Sequence, residues 1–535
     1  MAAMFPGRAP QRLTLGLGLA CVVITGGATT SSATTTPPPQ TNLASSDPAV
    51  PVATLGSGSN TSTSVAPEPR GDLRGIRWHA CPTAEVATLM CGTLAVPYDY
   101  ANPAGPKFEL AVAKVPALGR KVGALFFDPG GPGGAGAAST GWAATQMPMS
   151  VREKFDVVGW DPRGIGDTRP ALQGCAQPQP VLPATGPVDW SLARSRTAAV
   201  AAAANRACQQ RNASFINFMG TNNVARDLDR LRAAVGDTKL TYWAISYGTR
   251  IGYVYALMYP TKIRAMVLDG NIDPKGDYAG LTQGGVALDS ALSFMKLASP
   301  PTYNSIMATV NSLAAKPVHL GKGLSYTRWN YLTDLTGAIP SEASWPKLIA
   351  ANKRILNAGL NTPEAAAERA RMRRSLGYSD ENLGGAFSVI NCLDYADRMT
   401  PAAQNAVINA NATIGPVYGG KITTEYALGC EGLRLRPDPV PLTTSAASRS
   451  RIKSIPVVIA NATNDGSTPI FWAQRMRDSF ANGVFVKYRG AQHALWTSTP
   501  SACVNNRITD YFLSLKRPTP VLCPFAPPPG LPRRG

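Results

Sequence analysis

The sequence predicts an α/β protein with a mostly parallel central sheet flanked by helices, and three observations support this fold class. Apolar runs of strand length recur at 125–127, 239–243, 455–460 and 484–488. Each run is followed by a glycine-rich or polar loop or by a tight turn. The turn after 239–243 leads directly into a helix-like stretch at 250–257. Strands that alternate with helices in this way pair in parallel and are covered by helices on both faces.

The tight turn holds Ser246 between the small residues Ala244 and Gly248. A serine with small residues two positions before and after it, between a strand and a helix, is typical of the nucleophile elbow of α/β-hydrolases. The helix N-terminus below such a serine favours negative charge that develops there. Ala244 departs from the more usual glycine by one methyl group. The alternative is a serine that caps an ordinary helix.

A Gly-Gly-Pro-Gly-Gly loop at 130–134 follows the apolar run at 125–127. Glycines allow the backbone conformations and close approach that a loop of bare N–H donors requires. In α/β-hydrolases this loop and the residue after the nucleophile form the oxyanion hole. A flexible surface loop is the alternative, and a phosphate loop is disfavoured because no Gly-Lys-Ser/Thr follows. The residues expected to form the oxyanion hole are Gly131, Gly133, Gly134 and Tyr247.

Asp465 and His493 are the candidates that complete a Ser–Asp–His triad. Asp465 lies in the loop after the predicted strand at 455–460, and His493 follows the strand at 484–488. Open α/β sheets gather catalytic groups at the carboxyl ends of their strands. The order Ser246, Asp465, His493 is that of α/β-hydrolases. Two further histidines do not follow a late strand: His79 and His319.

Asp269 is the alternative acid, because it ends the predicted strand at 265–268 and could also reach the histidine. We prefer Asp465, since its loop comes one strand before His493. Asp269 is expected instead to fix the turn that continues with Gly270 and Asn271.

The predicted fold is therefore an α/β-hydrolase with a large helical cap inserted between core strands 6 and 7. Strand–helix alternation stops between Pro274 and Ser454, where helices are predicted at 346–358 and 363–376. An insertion of roughly 170 residues is too long for a loop. A cap of this kind screens substrates and excludes water. The predicted divisions are a signal peptide at 1–33, a disordered Ser/Thr/Pro-rich linker at 34–70, the first part of the core at 71–274, the cap at 275–450, the C-terminal part of the core at 451–525 and a disordered tail at 526–535.

The N-terminal segment predicts export. Arg8 and Arg12 precede an apolar stretch at 13–24 that is followed by small residues, which is the pattern of a signal peptide. The stretch is too short and glycine-rich for a membrane span, and we expect a secreted or envelope-associated protein without an integral span. Cys21 suggests a lipoprotein anchor, but Gly18 stands where a lipobox has leucine, so this anchor is disfavoured.

Charge and cysteine usage exclude some functions. The net charge is +19, but the basic residues are scattered and no nucleic-acid-binding motif occurs. No Cys-x-x-Cys or His-x-x-x-His spacing indicates a metal, so we expect no metal, no cofactor and no nucleic acid. An even number of cysteines beyond Cys21 indicates disulfides in an exported chain. They are Cys81, Cys91, Cys175, Cys208, Cys392, Cys430, Cys503 and Cys523.

Several segments together resemble the secreted tripeptidyl-aminopeptidase branch of the prolyl-aminopeptidase-like α/β-hydrolases, which includes exported serine hydrolases called carboxylesterases. The resemblance covers roughly residues 75–525. Gly466 departs from it, because proline often follows the acid in this family. The motifs, in chain order, are CGTLAVPYDY at 91–100, the glycine loop at 130–134, GWDPRG at 159–164, SYGTR at 246–250, LDG at 268–270 with DP at 273–274, Asp465-x-x-Thr468-Pro469 in the C-terminal TAP-like region, and Gln492-His493.

The resemblance implies an exported serine hydrolase that releases short peptides, often tripeptides, from free N-termini. It also favours disulfides between neighbouring cysteines (81–91, 175–208, 392–430 and 503–523), although the sequence alone leaves other pairings open. Such an enzyme needs a carboxylate for the ammonium group of its substrate. Asp394 of the cap is the first candidate and Glu431 the second, and a solvated surface acid is the alternative for both. Thr468, three residues after the acid, is a further candidate for substrate binding.

Two other functions are compatible with the same sequence. A carboxylesterase acting on small acyl esters would use the same triad, because acyl chemistry does not reveal the leaving group. A non-catalytic binding module is disfavoured, since all three triad residues are present. Fold alone does not decide among these functions. The sequence leaves the oligomeric state open, and we favour a monomer.

Overall fold

The computed structural model describes residues 75–531 apart from 83–85, 275, 377–380, 440–449, 451 and 453. The predicted signal peptide and linker, with Cys21, lie outside the described residues. So does the end of the predicted tail, at 532–535.

A ten-stranded sheet forms the centre of the protein, in the order β1-β2-β3-β5-β4-β6-β7-β10-β11-β12. Strands β4 to β7 and β10 to β12 pair in parallel, whereas β1, β2 and β3 form an antiparallel edge that joins β5. The prediction of a mostly parallel sheet is therefore confirmed. The strands, with a separate hairpin β8–β9, are β1 His79–Ala80, β2 Met90–Pro97, β3 Lys107–Val115, β4 Gly123–Asp128, β5 Phe155–Trp160, β6 Leu240–Ile245, β7 Ile263–Asp269, β8 Val318–Gly321, β9 Leu324–Tyr326, β10 Val457–Ala462, β11 Val484–Tyr488 and β12 Val521–Cys523.

Helices cover both faces of the sheet, and for this reason every residue of the central strands β4, β5, β6 and β10 is buried. Side chains alternate between the two faces along a strand. Phe126 and Tyr242 thus belong to one hydrophobic cluster, and the next residues, Phe127 and Trp243, belong to the cluster on the opposite face.

The helices that the structure describes in full are α1 Gly136–Gln146, α2 Met149–Arg152, α3 Trp190–Arg211, α4 Thr221–Ala234, α5 Gly248–Met258, α6 Tyr278–Thr282, α7 Ala287–Ala298, α8 Pro300–Ala315, α9 Arg328–Leu335, α10 Trp345–Asn357, α11 Pro363–Leu376, α12 Glu381–Asp394, α13 Pro401–Ile414, α14 Gly419–Leu428, α15 Ile470–Ser479 and α16 Ala502–Ser514. Short 3-10 helices lie at Ile216–Phe218, Pro260–Lys262, Gln283–Val286 and Glu342–Ser344.

Helices α6 to α14 lie in the chain between β7 and β10, where the sequence predicts a helical cap. Helices α10 and α11 lie within one residue of the bounds predicted for them. Leu292, Tyr331 and Trp345 belong to a hydrophobic cluster that lies mostly within this insertion and also includes Ala491. Two details differ from the prediction. The insertion contains the antiparallel hairpin β8–β9, and it follows the seventh strand of the sheet, because the two-residue strand β1 adds one strand at the edge.

The start of the predicted tail is held against the core. The backbone N–H of Ala526 donates to the Tyr488 hydroxyl at 3.2 Å, and Pro528 is buried. These contacts differ from the disorder expected from residue 526 onward. The composition of the tail concealed them, because proline-rich segments can pack without regular secondary structure.

Four disulfides join neighbouring cysteines along the chain, in the pairing that the resemblance favours. They are Cys81–Cys91, Cys175–Cys208, Cys392–Cys430 and Cys503–Cys523. Among the described helices, none is both long and apolar enough to cross a membrane.

Candidate active site

Ser246 lies at the turn between β6 and α5, at the carboxyl end of the sheet. Its φ is 55°, in the left-handed region that L-residues rarely adopt. Its backbone N–H donates to the carbonyl of Asp269 at 2.9 Å. Its Oγ makes no hydrogen bond to any described residue, and only 2% of the residue is exposed. The backbone is therefore held in the strained conformation expected of a nucleophile elbow.

Asp465 and His493 are in direct contact. His493 Nδ1 lies 2.9 Å from Asp465 Oδ1 and 3.0 Å from Oδ2, and both side chains are buried. Asp465 Oδ1 also accepts the backbone N–H groups of Ser467 and Thr468, each at 2.8 Å. These N–H donors hold the carboxylate in place while it accepts the Nδ1–H of the imidazole.

Asp269, the alternative acid, binds backbone instead. Its carboxylate accepts the N–H groups of Leu495 and Trp496 at 2.8–2.9 Å. No hydrogen bond joins it to the His493 ring among the described residues. Burial raises the pKa of Asp269 to about 7. Asp269 thus holds the loop that follows His493, a role that the sequence did not predict.

Ser246 and His493 each contact one of two consecutive residues at the end of β7. Asp269 accepts the N–H of Ser246, and the next residue, Gly270, lies against the imidazole. A methyl group at Gly270 would be 2.8 Å from His493 Cε1. No hydrogen bond joins Ser246 Oγ to His493 in this structure. Catalytic hydrogen bonds are often long without substrate and tighten in the complex.

The glycine loop lies against the elbow. A methyl group at Gly130 would be 2.7 Å from Ser246 Cβ and 3.1 Å from the Tyr247 nitrogen, so only glycine fits here. The N–H groups of Gly131, Gly133 and Tyr247 have no acceptor among the described residues. Gly134 differs from its predicted oxyanion role, because its N–H donates to the Gly130 carbonyl at 2.9 Å.

Asp394 is not available for a substrate ammonium group. It is buried and forms an ion pair with Arg250 of α5 at 3.2 Å. It also accepts the N–H and the hydroxyl of Thr221, at 2.9 and 2.5 Å. The Thr221 hydroxyl lies 2.5 Å from the Tyr247 hydroxyl as well. Asp394 therefore joins helix α12 of the insertion to the helix that follows Ser246.

The other two candidates for substrate binding lie in different surroundings. Glu431 accepts the side-chain N–H of Gln404 at 2.9 Å and lines a cavity of about 190 Å³ that also includes Tyr278 and Arg398 but no triad residue. Thr468 Oγ1 lies 3.4 Å from His493 Nδ1. Thr468 therefore contacts the Asp465–His493 pair itself.

A carboxylate of the insertion, which the sequence did not indicate, supports the loop that leads from β11 to His493 (the histidine loop). Glu342 accepts the Ala491 N–H at 2.7 Å and the Tyr488 hydroxyl at 2.9 Å. Two residues earlier, the Pro340 carbonyl accepts the N–H of His493 at 2.8 Å. Burial raises the pKa of Glu342 to about 7. No local pattern could reveal these contacts, because roughly 150 residues separate the partners.

Comparison with known proteins decides the family. The α/β hydrolase fold family matches residues 123–292, and the TAP-like protein family matches residues 415–523. Serine protease Hip1 of Mycobacterium tuberculosis is 32% identical over 478 residues, which cover 82% of this chain and 88% of that protein. The chain belongs to the TAP-like α/β-hydrolases.

Two further relatives of this TAP-like α/β-hydrolase have different names. Tripeptidyl aminopeptidase of Streptomyces coelicolor is 37% identical over 224 residues, or 39% of this chain and 40% of that protein. Carboxylesterase B of Mycobacterium tuberculosis is 29% identical over 467 residues, or 82% of this chain and 87% of that protein. The protein is therefore a serine hydrolase.

Proposed function

We propose that this TAP-like α/β-hydrolase is an exported peptidase that releases short peptides, such as tripeptides, from free N-termini through an acyl-enzyme on Ser246. The observation that carries the proposal is the 2.9 Å contact between Asp465 and His493 beside the strained Ser246 elbow. The names of two relatives, a serine protease and a tripeptidyl aminopeptidase, support an amide substrate.

The proposed reaction follows from the geometry of the pair. Asp465 accepts the Nδ1–H of His493, which leaves Nε2 free to take the proton of Ser246 as Oγ attacks a carbonyl carbon. Asp465 also stabilises the imidazolium that forms. The N–H groups of Tyr247 and Gly131 are the donors for the developing oxyanion, and the loss of one such donor typically costs about 10²–10³ in kcat. His493 then protonates the leaving amine, and water hydrolyses the acyl-enzyme.

Export is supported by the four disulfides. Disulfides persist in oxidising compartments outside the cytoplasm and are rare within it. The N-terminal pattern of two arginines followed by an apolar stretch supports the same location.

An esterase that acts on small acyl esters is the second candidate function. One observation favours it: the relative named carboxylesterase B aligns over 82% of this chain. The same Ser246, Asp465 and His493 would perform ester hydrolysis.

Kinetics with matched substrates distinguish the two functions. The substrates are tripeptidyl p-nitroanilides with free and with acetylated N-termini, single aminoacyl p-nitroanilides and p-nitrophenyl esters, and Ser246→Ala is the control. We expect the highest kcat/KM for the free tripeptidyl amides, a large loss on acetylation and no turnover by Ser246→Ala. Turnover of esters alone would contradict the peptidase function. Amide turnover that acetylation leaves unchanged would contradict release from free N-termini.

A further inference from the structure

Asp128, at the end of β4, is a buried carboxyl group without a cation. Only 1% of the residue is exposed. Its Oδ1 accepts the backbone N–H of Gly130 at 2.8 Å, whereas Oδ2 has no hydrogen-bond partner among the described residues. No ion pair involves Asp128 in the part of the chain that the structure describes. A carboxylate with a single hydrogen bond and no cation has less compensation than a buried charge normally requires.

This carboxyl group lies between the two elements that face the candidate oxyanion. Through Gly130 it holds the glycine loop, which packs against Ser246. The carboxyl group also lies against the first turn of α5, because a methyl group at Gly248 would be 2.6 Å from Asp128 Oδ1. The N-terminus of α5, which would stabilise an oxyanion on the substrate, therefore also lies beside Asp128.

A carboxylate at Asp128 and an oxyanion on the substrate would repel each other, because both would lie near the N-terminus of α5. We propose that Asp128 is a positioning residue of the oxyanion loop, and that the enzyme reacts with the Asp128 carboxyl group protonated. This inference rests on the proposed role of Ser246 and of the glycine loop. The neutral acid still accepts the Gly130 N–H and so keeps the loop in place. The carboxylate would repel the oxyanion that forms beside it.

The groups that face Asp128 do not offset its charge. They are Tyr242 of β6 and Tyr247 of the elbow, and burial raises the pKa of both phenols well above their usual range. Both remain neutral when Asp128 titrates. Burial raises the pKa of Asp128 itself to about 7, so the neutral form predominates below that pH and is lost above it.

Inactivation by a fluorophosphonate tests the proposal without any assumption about the natural substrate, because the probe forms a tetrahedral adduct on the serine. Its second-order rate constant is measured from pH 5.5 to 9.5 for the wild type, Asp128→Asn and Asp128→Ala. Asparagine keeps an oxygen acceptor for Gly130 and cannot ionise. We expect the ratio of Asp128→Asn to wild type to rise about tenfold per pH unit above 7, reaching about 30-fold at pH 8.5. A ratio that stays constant from pH 6 to 9 would overturn the inference.

The alanine variant tests the positioning role separately. Asp128→Ala leaves the Gly130 N–H without its acceptor, so its rate constant should be about tenfold or more below that of Asp128→Asn at every pH. Equal reactivity of the alanine and asparagine variants at pH 6 would contradict this role. Asp289→Asn is the matched control. Asp289 is a buried carboxyl group in the insertion that accepts the N–H groups of Val417 and Tyr418, and its replacement by asparagine should leave the shape of the profile unchanged.

Thermal unfolding provides a readout that does not depend on catalysis. A carboxyl group whose pKa is raised by folding keeps its proton longer in the folded state, so the wild type loses stability as pH rises from about 4 to 7. Asp128→Asn has no such loss. The difference in Tm, variant minus wild type, should therefore increase over that pH range and remain constant above it. A constant difference in Tm would refute the protonated state. If neither the wild type nor the variants react with the fluorophosphonate at Ser246, the proposed function is wrong. The dependence of Tm on pH still shows whether Asp128 is protonated in the folded protein.

Discussion

The two candidate acids can be separated by one isosteric change in each, and Asp465→Asn is the more informative. Asp465 Oδ1 accepts the N–H groups of Ser467 and Thr468 and lies 2.9 Å from His493 Nδ1, and Oδ2 lies 3.0 Å from the same nitrogen. In the asparagine variant the amide oxygen still accepts both N–H groups, so the NH₂ group occupies the position of Oδ2. Because the amide oxygen already accepts two N–H groups, the NH₂ group is expected to donate to Nδ1, which favours the imidazole with its proton on Nε2.

An imidazole protonated at Nε2 cannot accept the proton of Ser246. A change to the wrong tautomer of this kind costs serine hydrolases about 10⁴ in kcat, which corresponds to about 5.4 kcal/mol of transition-state stabilisation. Because the two backbone donors remain satisfied, the Tm of Asp465→Asn should stay close to that of the wild type. The measurement is kcat/KM on the best substrate, with the fluorophosphonate rate constant as a second readout.

Asp269→Asn is the matched comparison. Its NH₂ group would face the N–H of Leu495 or Trp496, so the free energy of unfolding should fall by about 1–3 kcal/mol. The tautomer of His493 is not affected. The factor by which kcat falls should therefore be at least about 100 times smaller than in Asp465→Asn. The opposite pattern, with activity retained in Asp465→Asn and lost in Asp269→Asn, would refute the assignment of the acid.

Three further predictions concern the loop, the insertion and a disulfide. Gly130→Ala places a methyl group 2.5 Å from the Ile245 carbonyl and should lower kcat at least about 100-fold; wild-type kinetics for this variant would show that the loop does not contribute to the oxyanion hole. Glu342→Ala should lower kcat on the order of tenfold by releasing the histidine loop, whereas Glu342→Gln keeps an acceptor and a donor and should retain most activity; equal losses in the two variants would argue against this support. Replacing both Cys392 and Cys430 with serine opens a loop of 38 residues and should lower the free energy of unfolding, measured with denaturant, by about 4 kcal/mol; an unchanged value would mean that this pair does not restrict the unfolded chain.

The features that the sequence predicts well are those specified by residues that lie close together in the chain. Ser246 is recognisable because the strand, the small residues and the helix all lie within about twenty positions. The parallel strands are recognisable because their apolar runs are short and are bounded by loops. The contact between Asp465 and His493 follows from chain order, since the carboxyl ends of parallel strands meet at one edge of the sheet.

The features that the sequence does not reveal depend on distant partners. Asp394 is visible as an acid of the cap, but Arg250, which neutralises it, lies 144 residues earlier. Glu342 has no local signal, because its partners belong to β11 and the histidine loop. Gly134 resembles its neighbours in sequence, and only the fold of the loop shows that its N–H is already bonded to Gly130.

The contacts of Pro340 and Glu342 with the histidine loop have a consequence for protein engineering. In many enzymes a lid can be exchanged or trimmed to alter selectivity while the chemistry stays in the scaffold. Here the insertion supplies the acceptor for the backbone N–H of His493 and a carboxylate for the loop before it. A chimaera that carries the insertion of a relative would therefore need equivalents of Pro340 and Glu342. Without them it would lose catalytic turnover as well as its original substrate selectivity.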